Sequence, residues 1–260
     1  MPEEAPHASA PPGKVERFRN RALNLDNRAV FPELPDDSID LILTDPPYKN
    51  YQSNRPVAHR KVKKIRENQF DLPFFLRESA RVLKPGRHLY CWCDHYTFPA
   101  IFYELQRQRT EAERRRSKHS LVYKNCLVWV KNNHGAGDLR GNFAPQHEFI
   151  LFAAKGKGVP LRGGRPSNVL FKRRRDGGIE FFKKVSNYRY NHGTTKPVEV
   201  LDLLIRTSTA AGELVFDPYA GTMSVGEACL LTGRDYLLVE IDREFFSRGV
   251  ERLKEFAILN

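Results

Sequence analysis

Apolar residues recur at two spacings along this chain. Short, almost unbroken apolar runs lie at Ile39–Thr44, His88–Cys93, Cys126–Lys131, Glu148–Ala154, Leu214–Phe216 and Tyr236–Val239. Runs this short and this apolar predict strands buried on both faces. Between them the apolar positions fall three and four apart. Asp71–Leu83 places Leu72, Phe75, Leu76, Ala80 and Leu83 at that helical spacing, and Lys84-Pro85-Gly86 is a stop signal. Thr97–Gln108 and Ser224–Leu231 read as further helices. Pro197–Thr207 opens on proline, whose missing N–H is harmless in a first turn, and sets Val198, Leu201, Leu204 and Ile205 on one side. Asp242 is placed to cap a last helix that runs to about Phe256.

Strands that alternate with helices in this way predict an α/β fold, a doubly wound, mostly parallel sheet covered on both faces. Residues 1–14, rich in Pro and Ala, read as a disordered tail, and 15–260 as one domain without internal repeats. Two stretches break the pattern. Arg107–Lys118 is a charged run, and Gly156–Tyr190 is rich in Gly, Arg and Lys. Neither has the apolar content of a core element, so the second reads as a small insertion, 156–190, rather than a second domain.

Charge adds a partner class. The 43 Lys and Arg against 31 Asp and Glu leave a formal +12, which suits a polyanion, although solvated surface charge alone could produce the same balance. No apolar run approaches the roughly 18–20 residues of a membrane span, and no hydrophobic leader follows Glu3 and Glu4, so a cytoplasmic location is expected. Cys91, Cys93, Cys126 and Cys229 form no CxxC pair and have no His at zinc-ligand spacing. They read as reduced core thiols, and no metal site is expected.

The chemistry concentrates in two clusters. Asp45-Pro46-Pro47-Tyr48 directly follows a strand, at the carboxyl edge where open α/β sheets bind ligands. An exocyclic amine on adenine or cytosine is a poor nucleophile because its lone pair is delocalised into the ring. A carboxylate on Asp45 can accept one N–H and the Pro46 carbonyl the other, drawing the nitrogen toward tetrahedral geometry. Proline restrains the turn through its fixed φ, and Tyr48 offers a flat face for an extruded base. Asp and Pro are also ordinary turn residues, so a plain strand ending is the alternative reading of this tetrapeptide taken alone.

The second cluster weighs against that plain reading. Asp217-Pro218-Tyr219-Ala220-Gly221-Thr222-Met223 also follows a strand and opens a helix, and its glycine lets a ligand approach the backbone. Glu240 stands at the end of the next strand, where an acidic residue can bond ribose hydroxyls. A dinucleotide would fit that arrangement in principle. However, no G-x-G-x-x-G is present, and Asp217 and Glu240 would repel a pyrophosphate. S-adenosylmethionine, with a cationic sulfonium and ammonium and no phosphate, suits acidic neighbours better.

With these residues in view, the chain resembles the β-class amino-methyltransferases of DNA, the DPPY type that acts at adenine N6 or cytosine N4. The segment Leu34-Pro35-Asp36-Asp37-Ser38-Ile39-Asp40-Leu41-Ile42-Leu43-Thr44-Asp45-Pro46-Pro47-Tyr48 is close to that family's catalytic signature. Arg81-Val82-Leu83-Lys84-Pro85-Gly86 resembles the helix end that follows it. Trp129-Val130-Lys131-Asn132, Phe143-Ala144-Pro145, His147-Glu148-Phe149-Ile150-Leu151 and His192-Gly193-Thr194-Thr195-Lys196-Pro197 resemble later motifs. The resemblance implies a Rossmann-like methyltransferase sheet with a circularly permuted motif order, catalytic before cofactor. It implies that Asp45, Pro46, Pro47 and Tyr48 handle the base, and that Asp217, Pro218, Gly221, Thr222 and Glu240 hold S-adenosylmethionine. His192, Thr194 and Lys196 would lie by its methionine moiety and Asp26 by its adenine ring. Two positions depart from the family: Met223 stands where a second loop glycine is usual, and Leu25 where Gly commonly precedes the acidic residue.

DNA is the expected partner. Lys49, Arg55, Arg60, Lys61, Lys63 and Lys64 follow the catalytic motif and are placed to grip phosphates beside a flipped base. Lys172, Arg173, Arg174 and Arg175 belong to the insertion, where the family tends to carry its target-recognition region. A homodimer and, for some members, a cognate restriction endonuclease are further partners that the resemblance admits. Asp at position 45 favours adenine, since the cytosine enzymes more often carry Ser there and glutamine-modifying relatives Asn. The rival from another class is a nucleic-acid-binding protein that keeps the fold without catalysis.

Overall fold

The computed structural model of this chain describes residues 15–47, 70–134, 141, 143–183 and 195–259. One eight-stranded sheet organises them. Its strands are β1 (Arg21–Leu23), β2 (Ile39–Thr44), β3 (Leu83–Cys93), β4 (Leu121–Val130), β5 (His147–Lys155), β6 (Val169–Leu170), β9 (Leu214–Asp217) and β10 (Asp235–Val239). The helices are α1 (Asn27–Val30), α2 (Leu72–Val82), α3 (Thr97–Arg114), α4 (Val198–Ser208), α5 (Ser224–Thr232) and α6 (Arg243–Leu259). A separate small hairpin pairs β7 (Lys172–Arg173) with β8 (Ile179–Glu180).

The sheet runs β1-β10-β9-β2-β3-β5-β4-β6. Every pairing in it is parallel except those of β5, which runs antiparallel to both β3 and β4. Side-chain alternation divides the apolar residues between two clusters. Leu41, Leu43, Tyr90 and Trp92 pack with Val200, Leu204, Cys229 and Leu253 from α4, α5 and α6. Ile42, Leu89 and Cys91 pack with Phe75, Leu76 and Ile101 from α2 and α3. Both faces are therefore covered, which is why the strands read as continuous apolar runs. Each large side chain fully buried here contributes roughly 1.5–3 kcal/mol. The four cysteines are free thiols, three of them buried.

Several boundaries differ from the sequence pattern, among them the start of β4 at Leu121 rather than Cys126. The α2 helix ends at Val82 as the stop signal requires, yet β3 begins at once and runs through Lys84-Pro85-Gly86. Gly86 takes φ +78°, its carbonyl accepts Val159 N–H at 2.8 Å, and a Cβ there would meet Val159 Cγ1 at 2.7 Å. The α3 helix continues through Arg114 because its charges pair one turn apart: Arg107 with Glu104 and Glu111, and Arg109 with Glu113. The 156–190 insertion is tied to the core after all, since Leu170 and Phe182 are buried among the α4-side residues and β6 extends the sheet beside β4.

The order of β9 and β2 decides where a ligand can bind. They are adjacent and parallel, with Leu41 opposite Val215 and Ile42 opposite Phe216. From β2 the chain proceeds through α2 to β3 on one side, and from β9 through α5 to β10 on the other. That reversal opens a crevice beyond their carboxyl ends. Asp45 and Pro218 are the first residues past them.

Candidate active site

On one side of the crevice, Asp45 leaves β2 next to buried Pro46. Its Oδ2 lies 2.6 Å from Lys196 Nζ, and the same ammonium lies 3.0 Å from Glu148 Oε2. Glu148 Oε1 in turn meets Lys131 Nζ at 2.9 Å. The Lys196 ammonium stands 6.0 Å from the centre of the Trp92 ring, and Lys131 stands 5.7 Å from that of Trp129. Charges of alternating sign thus run along the carboxyl edge of the sheet, from β2 across β3 to β5 and β4. Burial alone would disfavour the Lys196 ammonium, but the fields of Asp45 and Glu148 and their hydrogen bonds raise its pKa above the usual lysine value. Burial pushes the Glu148 carboxyl upward, and Lys196 and Lys131 override it, holding the group below the usual range.

On the other side, the strand-to-helix turn after β9 is built around two carboxylates. Asp217 Oδ1 accepts Thr44 Oγ1–H at 2.6 Å and Tyr219 N–H at 3.1 Å. Burial pushes its pKa up to about 7, and the nearby charges of Asp45 and Glu240 add to that, against the two hydrogen bonds. Glu240 Oε2 accepts Gly221 N–H at 2.8 Å and Oε1 accepts Asp242 N–H at 2.7 Å. A carboxylate has about four acceptor positions, so these bonds aim the group and leave it able to accept from a hydroxyl. Gly221 takes φ +51°.

Met223 explains how the turn closes without a second glycine. It caps α5 in the left-handed region, φ 59° and ψ 37°, a conformation glycine adopts readily and other residues at a cost of roughly 1–2 kcal/mol. Its side chain is fully buried over Gly249 of α6, where an added Cβ would meet Met223 Cγ at 2.6 Å. Packing against a neighbour that lacks a side chain offsets the strain.

The two sides are coupled directly. Thr44 of β2 donates to Asp217 of β9, and Thr195 Oγ1 lies 3.4 Å from Thr222 Oγ1 just before Lys196. The 195–197 segment, buried throughout, therefore joins the turn after β9 to the end of β2. Asp26 lies at the end of β1, where it caps α1 by accepting Arg28 N–H at 2.9 Å and pairs with the Arg28 guanidinium, which holds its carboxyl below the usual range. Its neighbour Asn27 reaches the Pro218 carbonyl at 3.1 Å.

The structure thus brings Asp45, Pro46, Pro47, Lys196, Asp217, Pro218, Gly221, Thr222 and Glu240 to one edge of the sheet. Tyr48, Lys49, Arg55, Arg60, Lys61, Lys63, Lys64, His192 and Thr194 lie outside the described residues. In the β7–β8 hairpin, Lys172 pairs with Glu199 of α4 and Arg174 pairs with Asp176 at 2.7 Å, while Arg175 is exposed and Arg173 lies in β7. Sequence reasoning passed over Thr44, Glu148 and Lys131 as site residues. The signal for the last two was a charge at the end of an otherwise apolar strand.

Chemically, this edge offers an oriented acceptor for an amine and an acidic cradle for a cation. No helix among the described residues is long and apolar enough to cross a membrane. Compared with known proteins, residues 39–251 match the family model described as DNA methylase, of N6/N4 type. The DNA adenine methyltransferase YhdJ of Escherichia coli (strain K12) is 28% identical over an alignment covering 91% of this chain and 84% of that protein. The type II methyltransferase M.HpaI of Haemophilus parainfluenzae is 26% identical, covering 85% of this chain and 69% of its own length. Among solved structures, the M1.HpyAVI–SAM complex superposes with a TM-score of 0.62 at 20% identity, covering 90% of this chain and 99% of that one. The cytosine-N4-specific PvuII DNA methyltransferase gives 0.64 at 13% identity, covering 90% of each.

Proposed function

The chain belongs to the DNA methylase family of N6/N4 type, and from that premise we propose that it methylates N6 of adenine in DNA with S-adenosylmethionine as donor. The observation that carries the reading is the Thr44–Asp217 hydrogen bond of 2.6 Å, which locks the catalytic strand end against the cofactor turn. The residues present fit a cationic donor: Asp217, pushed up to about 7, is a buried acid whose ionised form a nearby positive charge would favour. Asp217, Gly221, Thr222 and Glu240 would hold the cofactor, with Asp26, Pro218, His192 and Thr194 around it. Bound there, S-adenosylmethionine supplies an electrophilic methyl group.

Asp45 accepts one N–H of the target amine and the Pro46 carbonyl accepts the other, while Pro47 restrains the turn and Tyr48 stacks on the extruded base. With both N–H groups held, the nitrogen is drawn toward tetrahedral geometry and its lone pair is withdrawn from conjugation with the ring, localised for attack on the methyl. Asp45 acts as acceptor and orienter in this scheme, because the amine proton becomes acidic only once the methyl has arrived. Lys49, Arg55, Arg60, Lys61, Lys63 and Lys64 grip phosphates beside the target. Lys172, Arg173, Arg174 and Arg175 of the insertion contact the duplex further away, and a homodimer would double that footprint.

The test is transfer of labelled methyl to unmethylated genomic DNA, followed by digestion to nucleosides and mass analysis. N6-methyladenine is expected. N4-methylcytosine would overturn the choice of base and keep the mechanism. No methylated nucleoside, with cofactor binding verified by calorimetry, would overturn the enzyme reading in favour of a binding protein.

A further inference from the structure

Among the described residues, Lys196 has surroundings that differ from what the family resemblance implies for it. That resemblance assigns it to the methionine end of the cofactor. In the structure its ammonium is buried, at 5% exposure, between two carboxylates: Asp45 at 2.6 Å and Glu148 at 3.0 Å. We propose that Lys196 is a positioning residue for the reaction: it fixes Asp45 as an ionised, oriented acceptor, and Glu148 and Lys131 serve to hold Lys196 in place. The proposal rests on the reading of Asp45 as the residue that accepts the amine.

Asp45 extends from β2 and Glu148 is the second residue of β5, with β3 between them in the sheet. Lys196 comes from neither strand. It is delivered by the segment leading into α4, whose first turn begins at Pro197. It crosses above Trp92 of β3 and spans the gap. Without it, two carboxylates would approach each other at a poorly hydrated edge that also holds Asp217, and one of them would take up a proton. A protonated Asp45 would present an O–H toward an amine that needs an acceptor. Both carboxylates lie within ion-pair distance of the Lys196 ammonium.

The other buried lysine at the ends of β5 shows what a purely structural partner set looks like. Lys155 donates to the Arg81 and Leu83 carbonyls at 3.0 and 2.8 Å and pairs with Asp37 at the opposite edge of the sheet. Its carbonyl partners close a loop. Both carboxylates paired with Lys196 lie at the carboxyl edge of the sheet, and on the proposed function one of them is the reacting amine's acceptor.

The experiment uses the full chain, S-adenosylmethionine and unmethylated genomic DNA, with Lys196→Met as the first variant. Because it leaves Glu148 facing Asp45 and could unfold the edge, the paired variant Lys196→Met/Glu148→Gln accompanies it, with folding checked by circular dichroism. Single-turnover transfer should fall roughly 100-fold in the folded variant, while the calorimetric Kd for S-adenosylmethionine stays within about twofold. In an Asp45→Asn background the same change should cost less than about threefold, because its target is already gone. A Kd that rises in step with the lost activity would overturn the proposal and assign Lys196 to the cofactor; so would wild-type turnover, or a full additive loss on top of Asp45→Asn. Failure of the underlying reading looks different: Asp45→Ala would then turn over like wild type, whatever Lys196 does.

Discussion

The two sides of the crevice handle negative charge in opposite ways. Beside β2, the carboxylates of Asp45 and Glu148 each rest on a lysine ammonium. Beside β9, Asp217 takes its hydrogen bonds from a hydroxyl and a backbone N–H, neither of them charged. The consequence is visible in their proton affinities: Glu148 is held below the usual range by its lysines, whereas Asp217 is pushed up to about 7. On the proposed function Asp45 accepts from a neutral amine and must stay ionised and still, so a resident cation serves it. A carboxylate meant to meet a cationic ligand is better left uncompensated, because the ligand then supplies the missing charge. The cost is carried by the fold until that ligand arrives.

The strongest way to break this contrast is to remove the acceptor itself. Asp45→Ala should lower methyl transfer by about a thousandfold or more, with cofactor affinity largely kept; near-wild-type transfer in a quenched single-turnover assay would remove Asp45 from the chemistry. Next comes the opposite side. Glu240→Ala deletes the acceptor of Gly221 N–H and Asp242 N–H and, on the proposed function, a ribose contact. Cofactor affinity should fall roughly 10- to 100-fold, and an unchanged calorimetric Kd would place the ribose elsewhere.

A pH series sharpens the contrast further. Asp217 has a folded pKa of about 7, raised above its unfolded value of 3.8. For a raised pKa, the folded state binds the extra proton, so its stability contribution is full below pH 3.8 and declines as pH rises toward 7. A cationic ligand requires the ionised form, so its affinity should weaken by up to about tenfold per pH unit below 7. Asp217→Asn should flatten both dependences, raising the thermal midpoint at neutral pH while weakening cofactor binding. A cofactor affinity independent of pH between 5 and 7 would sink the uncompensated-charge argument.

The smallest expected effect tests how the cofactor turn is held. Gly→Ala inside a helix ordinarily stabilises by about 1 kcal/mol. Gly249→Ala should instead destabilise by about 1–3 kcal/mol, because the new Cβ would lie 2.6 Å from Met223 Cγ. Met223→Gly should recover part of that loss. A stabilised Gly249→Ala protein in urea titration would mean that Met223 is free to move away.

Much of this was legible in the chain. The β2 strand spans Ile39–Thr44 as its apolar run predicts, and the strand ends carrying Asp45, Asp217 and Glu240 were marked by acidic residues following apolar ones. The boundaries that shifted did so for local reasons a periodicity cannot carry. The α3 helix gained a turn from ion pairs, β3 gained its start from a loop bonding Gly86, and the insertion gained anchors from two isolated apolar residues, Leu170 and Phe182. Lys196 was visible as a motif residue, but its partners were not, because Asp45 and Glu148 are far from it in sequence and meet it only where β2 ends and β5 begins at one edge of the sheet.

The division follows from the range of the forces involved. Hydrophobic periodicity and turn chemistry act over a few residues, so the sequence by itself determined the alternation of strands and helices, the two acidic turns and the family they resemble. Strand order, and with it which charge faces which, depends on contacts between segments from tens to well over a hundred residues apart. Only the tertiary structure therefore decided that one carboxylate of this site would be neutralised by a buried lysine and another left to await a positive charge.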